Sequence, residues 1–384
     1  MLTKHIKFEN FSKKKKYYAV KKNLEKLIKE NNEIIKSLKS SYKDNFSKKF
    51  ILKFKKFQNT QLIGMGGSVL GSKTIYNFLS HKIKKRINFV DNLLNKSSQF
   101  NHKKKLNLII SKSGNTLETI TNTKFIVKKT DTNLFITGSK TSLLKNLAKK
   151  LKADIMHQND FIGGRYSVLS EVGMLPAELM GLNKNKFRRL NYLIKNKIFM
   201  NSLVQNVSNT INFIDQKKFN SIILNYDEKS LDLFYWYQQL IAESLGKKKK
   251  GLLPIISLMP KDNHSLMQLY LDGFQNNFFT FFYVHDHKTD KINNNLILQS
   301  KKNLKNKTVS EIIYSQKIAT ENVFKSKKIP FRSFEVKIRN EKTLGELFCF
   351  FILETILIGK CLNLNPFDQP AVELIKKETN KLLI

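Results

Sequence analysis

The feature that most constrains the fold is an alternation, from residue 60 onward, between short apolar runs and segments with helical periodicity. In the first half these runs are LIGM, INFV, LNLIIS, NLFITGS and ADIM, and a second series contains NSIILNY, LLPIISL, FFTFFYV and RSFEVKI. Such alternation is typical of βαβ units, which build parallel sheets. We therefore predict an α/β fold with two domains, each a parallel sheet flanked by helices in a three-layer αβα arrangement.

The domain boundaries follow from where this alternation begins, pauses and stops. A length of 384 residues suits two domains. We expect an N-terminal helical segment over residues 1–52, a first α/β domain over 53–190, a second over 191–350, and C-terminal helices over 351–384.

Lysine supplies almost all of the positive charge of the chain. The formal net charge is +39, yet only six of the 69 basic residues are arginines. Proteins that bind nucleic acids usually rely on arginine for contacts to phosphates and bases. The abundance of lysine and asparagine instead matches the codon bias of an AT-rich genome, so we predict no nucleic-acid partner.

The remaining bulk features favour a cytoplasmic protein without a metal. Cys349 and Cys361 lie in an apolar helical stretch without metal-ligand spacing, which favours reduced core thiols. The first thirty residues are charged throughout, and no apolar run approaches the roughly 20 residues that span a bilayer. His285 and His287 flank Asp286, but no further candidate ligand is in view, so we predict no metal site. We also predict no membrane partner and no cofactor.

Two strand ends carry small residues that suit a phosphate. GMGGSVLG, residues 64–71, lies between a predicted strand and a predicted helix, where glycines aim backbone N–H groups at an anion. A dinucleotide is the alternative there, with Asp91 nearest to the position that a ribose requires. LIISKSGNTLETI then places Ser111, Ser113 and Thr116 at the next strand end, and helix capping explains one of the three hydroxyls but not all. We predict that this region binds the phosphomonoester group of a small molecule.

Three further residues suit proton-transfer chemistry. Arg165 follows two glycines in FIGGRYSVLSEVG, where a fixed cation can approach a developing oxyanion. Glu243 is the acidic residue of YQQLIAESL and is a candidate general base, although it also fits a solvent-facing glutamate. His264 follows a predicted strand and is either a proton shuttle or a surface histidine, whereas nothing intrinsic selects Lys376.

Taken together, five stretches resemble the phosphoglucose isomerase family, whose members consist of two sugar isomerase (SIS) domains. GMGGSVLG is similar to the family's first phosphate turn, and SKSGNTLET to its phosphate-binding strand end. GGRYSVLSEVGMLP resembles the signature around the catalytic arginine, and ESLGKKKKGLLPIISLMPKDNHSLMQLYLDG the one with the base and the histidine. FDQPAVELIK resembles the C-terminal helix with the active-site lysine, although Pro370, Ala371 and Ile375 replace the family's aromatic and glycines.

The resemblance implies interconversion of glucose 6-phosphate and fructose 6-phosphate by ring opening and proton transfer through a cis-enediol. Glu243 would move the proton between C2 and C1, and Arg165 would stabilise the enediolate. His264 and Lys376 would assist ring opening, with His264 reaching in from the second subunit of a homodimer. Gln239 would orient the substrate.

At the phosphate end, the resemblance assigns the sugar 6-phosphate to Ser111, Ser113 and Thr116, with Gly67 and Ser68 at its edge. The C-terminal helices would pack on the active site.

Two other functions stay open from the sequence alone. A dual-specificity enzyme would also accept mannose 6-phosphate, because the choice of epimer depends on one or two pocket groups. A non-catalytic SIS-domain sensor of sugar phosphates would not need Glu243, Arg165 and His264 together, and residues 1–50 contain no candidate helix-turn-helix.

Overall fold

A computed structural model describes residues 1–12, 18–94, 104–286, 289–296 and 299–383. The strands of the described residues form two five-stranded sheets. These strands are β1 (Ile6–Glu9), β2 (Asn59–Gly64), β3 (Arg86–Val90), β4 (Lys105–Ser111), β5 (Thr132–Thr137), β6 (Asp154–His157), β7 (Asn220–Asn225), β8 (Leu253–Leu258), β9 (Asn277–Val284) and β10 (Phe331–Val336).

Helices connect the strands and cover both sheets. They are α1 (Tyr18–Lys29), α2 (Glu33–Ser37), α3 (Lys48–Lys55), α4 (Leu70–Phe78), α5 (Leu117–Ile126), α6 (Leu143–Lys150), α7 (Glu171–Leu179), α8 (Leu190–Leu193), α9 (Lys197–Asp215), α10 (Leu231–Leu245), α11 (Met267–Asp272), α12 (Val309–Ser326), α13 (Glu341–Cys361) and α14 (Val372–Leu382). None of the helices in these described ranges combines the length and apolar character that crossing a membrane requires.

The first sheet has the strand order β3-β2-β4-β5-β6, and all of its strands are parallel. Its central strand β4, KLNLIIS, is buried along almost its whole length. This burial on both faces explains why the strand reads as a continuous apolar run rather than an alternating one. The predicted first α/β unit is confirmed.

The second sheet has the order β1-β10-β9-β7-β8, in which β7 to β10 are parallel. All eight residues of β9, NFFTFFYV, are buried. The predicted second α/β unit is confirmed as well.

The N-terminal strand β1 departs from the sequence prediction. It pairs antiparallel with β10, with Ile6 opposite Val336 and Glu9 opposite Ser333. The prediction of a helical segment over residues 1–52 is wrong at this strand, and the second sheet is not purely parallel. The physical reason is that β10 leaves an edge whose backbone groups need a partner, and a short strand from the start of the chain supplies it.

Helix α13 runs through the predicted boundary at residue 350. Every residue from Thr343 to Gly359 is buried, which makes this helix part of the main core rather than the end of one domain. A helix that is apolar on all sides is typical of such a central position. The following helix α14 has no buried residue.

Helix α10 joins the two α/β units. The hydroxyl of Thr74 on α4 donates to the backbone oxygen of Asp232 at 2.9 Å, and the Trp236 ring lies against Phe348 of α13 with 4.9 Å between the centroids. The C-terminal half of α10 lies at the carboxyl end of the first sheet, because the Gln239 amide is 2.8 Å from where a Cβ of Gly66, just after β2, would lie.

Candidate active site

The order of the first sheet places a crevice at the ends of two strands. The chain passes from β2 to β3 on one side and from β4 to β5 on the other, so β2 and β4 flank a switch point. Ligands of open parallel sheets bind in the crevice outside the carboxyl ends of such strands. Gly64 ends β2 and Ser111 ends β4, which brings the two predicted phosphate stretches to one edge.

The glycine turn after β2 packs directly on the turn that contains Arg165. Gly66 has a φ of +53°, and residues Gly66–Ser68 form a short 3-10 turn. A Cβ atom at Gly67 would lie 2.2 Å from the carbonyl carbon of Gly164. Only glycine permits this approach, so the glycines serve the contact between two loops of the site. Gly67 is buried there and Ser68 is half-buried.

The three predicted hydroxyls after β4 lie together. The Oγ of Ser111 is 2.9 Å from the Oγ1 of Thr116, and the Oγ of Ser113 is 3.4 Å from the same atom. Gly114 has a φ of +64°, which turns the chain back toward α5. Thr116 is the N-cap residue of α5 but its side chain forms no capping hydrogen bond. The hydroxyls therefore gather at an open helix N-terminus, where they favour an anion.

Arg165 lies in a cage of acceptors. It is 2% exposed, and its guanidinium donates to the Ser244 hydroxyl at 2.8 Å and to the Glu243 carboxylate at 3.1 Å. Three further bonds reach the segment after α13, at Gln369 Oε1 (2.6 Å), the Pro366 carbonyl (2.7 Å) and the Asp368 carbonyl (3.0 Å). Five donors in a fixed plane fit this cage, and a lysine cannot supply them.

Glu243 has one partner for each carboxylate oxygen. Gln239 Nε2 donates to Oε1 at 2.8 Å, and Arg165 donates to Oε2. The Glu243 side chain stays 30% exposed, while the Oε1 of Gln239 is buried without a hydrogen-bond partner. The carboxylate is thus fixed in position and still open to a ligand, as a general base has to be.

Several residues of this cage were missed by the sequence analysis. Ser244 links the Arg165 Nε to the Tyr166 hydroxyl, and both lie 2.8 Å from its Oγ. Burial raises the pKa of Tyr166. Trp236 Nε1 donates to the Arg165 carbonyl at 3.1 Å. The hydroxyl of Ser244 beside the candidate base was a usable signal, whereas the distant Pro366 gave none.

The two predicted ring-opening residues are not in contact with Glu243 within one chain. His264 ends the 3-10 turn Lys261–His264 after β8 and its side chain is exposed. Lys376 lies on α14, is exposed, and pairs with Glu373 at 2.6 Å. Helix α14 nevertheless lies beside the hydroxyl cluster, because Lys376, Ser113 and Thr116 line one cavity of about 360 Å³.

The structure also bears on two alternative ligands, a metal ion and a dinucleotide. Among the residues that are described, no three or more His, Cys, Asp or Glu side chains cluster as metal ligands, and His287 lies outside that part of the chain. Asp91, the candidate for a ribose, pairs with Lys73 at 2.8 Å.

Comparisons with known proteins identify the family of the chain. The family model of phosphoglucose isomerase matches residues 8–256. A glucose-6-phosphate isomerase from Methanocaldococcus jannaschii is 34% identical over 343 residues, covering 84% of this chain and 83% of that protein. One from Mesomycoplasma hyopneumoniae strain 7448 is 32% identical, covering 84% and 82%.

Solved structures show the same fold. A hypothetical protein from Thermus thermophilus superposes with a TM-score of 0.82 at 21% identity, covering 95% of this chain and 94% of that one. A glucose-6-phosphate isomerase from Chlamydia trachomatis superposes with a TM-score of 0.72 at 17% identity, covering 95% and 78%. The family model matches more than half of the chain, and the relatives share about a third of their residues with it. The chain therefore belongs to the phosphoglucose isomerase family.

Proposed function

We propose that this enzyme interconverts glucose 6-phosphate and fructose 6-phosphate through a cis-enediol. The observation that carries the proposal is the contact of the Glu243 carboxylate with the buried Arg165 guanidinium at 3.1 Å. A base and a fixed cation side by side are what proton transfer next to a carbonyl requires, because the base creates the negative charge that the cation stabilises.

Glu243 is the base that transfers the proton. Its carboxylate removes the proton from C2 of the open-chain aldose, the C2–H electrons form the C1=C2 double bond, and the carbonyl oxygen at C1 becomes the enediolate oxygen. Arg165 stabilises that oxygen by its fixed positive charge. The proton of the C2 hydroxyl then moves to O1, the electrons left on O2 form the C2=O bond, and Glu243 returns its proton to C1 to give the ketose. The partnerless Oε1 of Gln239 accepts a hydrogen bond from a substrate hydroxyl.

The phosphate end belongs to the hydroxyl cluster. Ser111, Ser113 and Thr116 donate to the phosphate oxygens in place of their present mutual bonds. The glycine turn with Gly67 and Ser68 supplies the neighbouring edge. Hydroxyls and backbone N–H groups at a helix N-terminus bind a phosphate without a dedicated lysine.

His264 and Lys376 assist the opening of the sugar ring. His264 is exposed on one protomer, so it reaches a site only when a second copy brings it there. The edge strand β8 next to it exposes Leu253 by 58%, with Ile255 and Ile256 partly buried beside it. An apolar sheet edge beside the histidine supports a homodimer in which each subunit supplies His264 to its partner.

The location follows from the substrate and the thiols. Phosphorylated sugars are metabolites of the cell interior, and both cysteines of the chain are free. Both points support a cytoplasmic enzyme.

The test is a coupled assay of glucose 6-phosphate formation from fructose 6-phosphate, with mannose 6-phosphate as a second substrate. Glu243→Gln keeps the size of the side chain and removes the base, so kcat is expected to fall by about a hundredfold or more. Glu25→Gln, on the exposed face of α1, is the matched control and keeps wild-type turnover. A wild type that binds fructose 6-phosphate without converting it contradicts the proposal and leaves a sensor, and turnover of mannose 6-phosphate reveals a dual-specificity enzyme.

A further inference from the structure

The segment Asn365–Gln369 between α13 and α14 provides most of the cage around Arg165. Of the five hydrogen bonds from the guanidinium, three end on this segment, at the carbonyls of Pro366 and Asp368 and at the side chain of Gln369. The plane of the guanidinium therefore depends on where this segment lies.

The segment has little packing of its own. Asn365 and Asp368 are exposed, and the helix α14 that follows contains no buried residue. Only Pro366 is buried, and the ring of Phe367 lies 5.8 Å from that of Tyr166. Pro366 and Phe367 anchor the centre of the segment to the main core, whereas its exposed polar residues Asn365 and Asp368 depend on other partners.

Lys247 holds both of these polar residues in place. Its ammonium lies 2.7 Å from Asp368 Oδ1 and also donates to the Asn365 carbonyl. Asn365 Nδ2 donates to the second carboxylate oxygen of Asp368 at 2.9 Å. The Lys247 side chain is 12% exposed, whereas its neighbours Lys248 and Lys249 are exposed on the surface.

Lys247 lies close in the chain to the candidate base Glu243. The residue follows Glu243 by four positions and lies just beyond the end of α10. One turn of chain thus connects the candidate base to a cation that fastens the other side of the arginine cage. The hydrogen bond from Lys247 also holds the pKa of Asp368 below its ordinary value, so this carboxylate is charged at neutral pH.

We infer that Lys247 is a positioning residue for the isomerase reaction: it fastens residues 365–369 so that their acceptors hold Arg165 in the plane that meets the enediolate. The inference rests on the proposed function, because it gives the cage a task in catalysis. It assigns Lys247 no contact with the substrate. Catalytic groups depend on a supporting shell to stay within a fraction of an ångström of their productive geometry.

The test compares Lys247→Met with Lys249→Met, a matched change of a neighbouring exposed lysine. Misplacement of Arg165 acts on the transition state, so we expect kcat of Lys247→Met to fall by about tenfold to a hundredfold with KM within about twofold. Lys249→Met keeps wild-type kinetics. Lys247→Arg retains the cation and recovers most of the lost kcat, which a purely structural role for the methylene chain would not produce.

A double-mutant cycle identifies the partner. Asp368→Asn removes the carboxylate and leaves the Asp368 carbonyl that contacts Arg165. If the ion pair is the hold, then Lys247→Met together with Asp368→Asn lowers kcat no further than the larger single change. Losses in kcat that multiply, or a Lys247→Met enzyme as fast as Lys249→Met, overturn the inference.

Hydrogen exchange separates this inference from the proposed function. In Lys247→Met, the backbone amides of residues 365–369, in particular that of Phe367, which donates to Asn365 Oδ1 at 3.0 Å, are expected to exchange faster while those of β4 and β9 stay protected. If the wild type isomerises no sugar phosphate, the proposed function fails, and the exchange rates still decide whether Lys247 fastens the segment. Unchanged exchange over residues 365–369 overturns the inference even in an active enzyme.

Discussion

Arg165 and Arg332 each lie in a buried cage and each pair with a glutamate, but the two glutamates differ. Arg332 pairs with Glu354, and both side chains are 1% exposed. Arg165 is 2% exposed, whereas its partner Glu243 is 30% exposed. The first pair is closed on every side by protein, and the second is open on the side of the carboxylate.

The surroundings explain the difference. Glu354 accepts from Asn206 at 2.6 Å and from the Tyr237 hydroxyl at 3.0 Å, so both of its oxygens are satisfied within the core. Next to Glu243, the Oε1 of Gln239 is buried without a partner. The closed pair can only hold elements together, while the open pair has unused hydrogen-bonding capacity that suits a substrate. The same chemistry thus serves the core in one place and, in the proposed function, an active site in the other.

The largest expected effect tests the closed pair. Glu354→Gln leaves the buried charge of Arg332 without its counterion, so the free energy of unfolding is expected to fall by about 3–5 kcal/mol. Urea denaturation measures this loss. The kcat per folded molecule stays near that of the wild type, in contrast to Glu243→Gln. An unfolding free energy equal to the wild type's would show that the two pairs do not differ as described.

The next effect tests the open pair. Arg165→Lys keeps a positive charge but loses the planar set of five donors, so kcat is expected to fall by about a hundredfold. Thermal unfolding is expected to shift as well, because Arg165 is 2% exposed and the acceptors at Ser244, Pro366 and Asp368 lose their donors. Arg189→Lys is the control, since Arg189 pairs with Glu346 at 3.4 Å away from the site. A loss of stability without a loss of kcat would make Arg165 a second structural pair.

A smaller effect tests the proposed phosphate end, the hydroxyl cluster of Ser111, Ser113 and Thr116. Thr116→Val removes one hydroxyl of the cluster, and KM for fructose 6-phosphate is expected to rise by about tenfold with kcat nearly unchanged. Thr141→Val, exposed on a neighbouring loop, keeps the wild-type KM. A fall in kcat at constant KM would move Thr116 from phosphate binding to the chemistry.

The smallest effect concerns a closed pair that uses lysine. Burial alone would raise the pKa of Glu335, but hydrogen bonds from His285 and Lys317 bring it well below its ordinary value of 4.5. A lowered pKa adds stability above pH 4.5 that is lost as the pH falls below it. The unfolding free energy of Glu335→Gln is therefore expected to depend less steeply on pH between 5 and 3 than that of the wild type. Equal slopes would contradict this.

These pairs explain where the few arginines of the chain occur. Five of the six arginines pair with a carboxylate in the described residues, and they are Arg165, Arg188, Arg189, Arg332 and Arg339. Lysine covers the surface, and arginine remains where a planar set of donors meets several acceptors. The position of Arg165 behind two glycines indicated such a place before any contact was known.

Features that are local in sequence were predicted well. The alternation of strands and helices gave both sheets, because each buried strand is a continuous apolar run such as that of β4. The hydroxyls of Ser111, Ser113 and Thr116 lie within six residues, so one turn brings them together. Their binding of a phosphate remains a prediction.

Features that depend on distant contacts were not predictable in the same way. The contact of Arg165 with Gln369 joins residues 204 positions apart. No periodicity announces such a contact, and only the resemblance to a family drew attention to the C-terminal stretch. The strand Ile6–Glu9 was missed for the same reason, since its four residues become a strand only beside β10.

The pairing of β1 with β10 has a consequence for how the chain folds during its synthesis. A ribosome adds about 5–20 residues per second, so β1 leaves it tens of seconds before β10 exists. The first sheet draws its strands from residues 59–157 and can close in that interval. The second sheet is completed only when the nascent chain is almost finished, and until then β1 depends on other partners to stay out of aggregates.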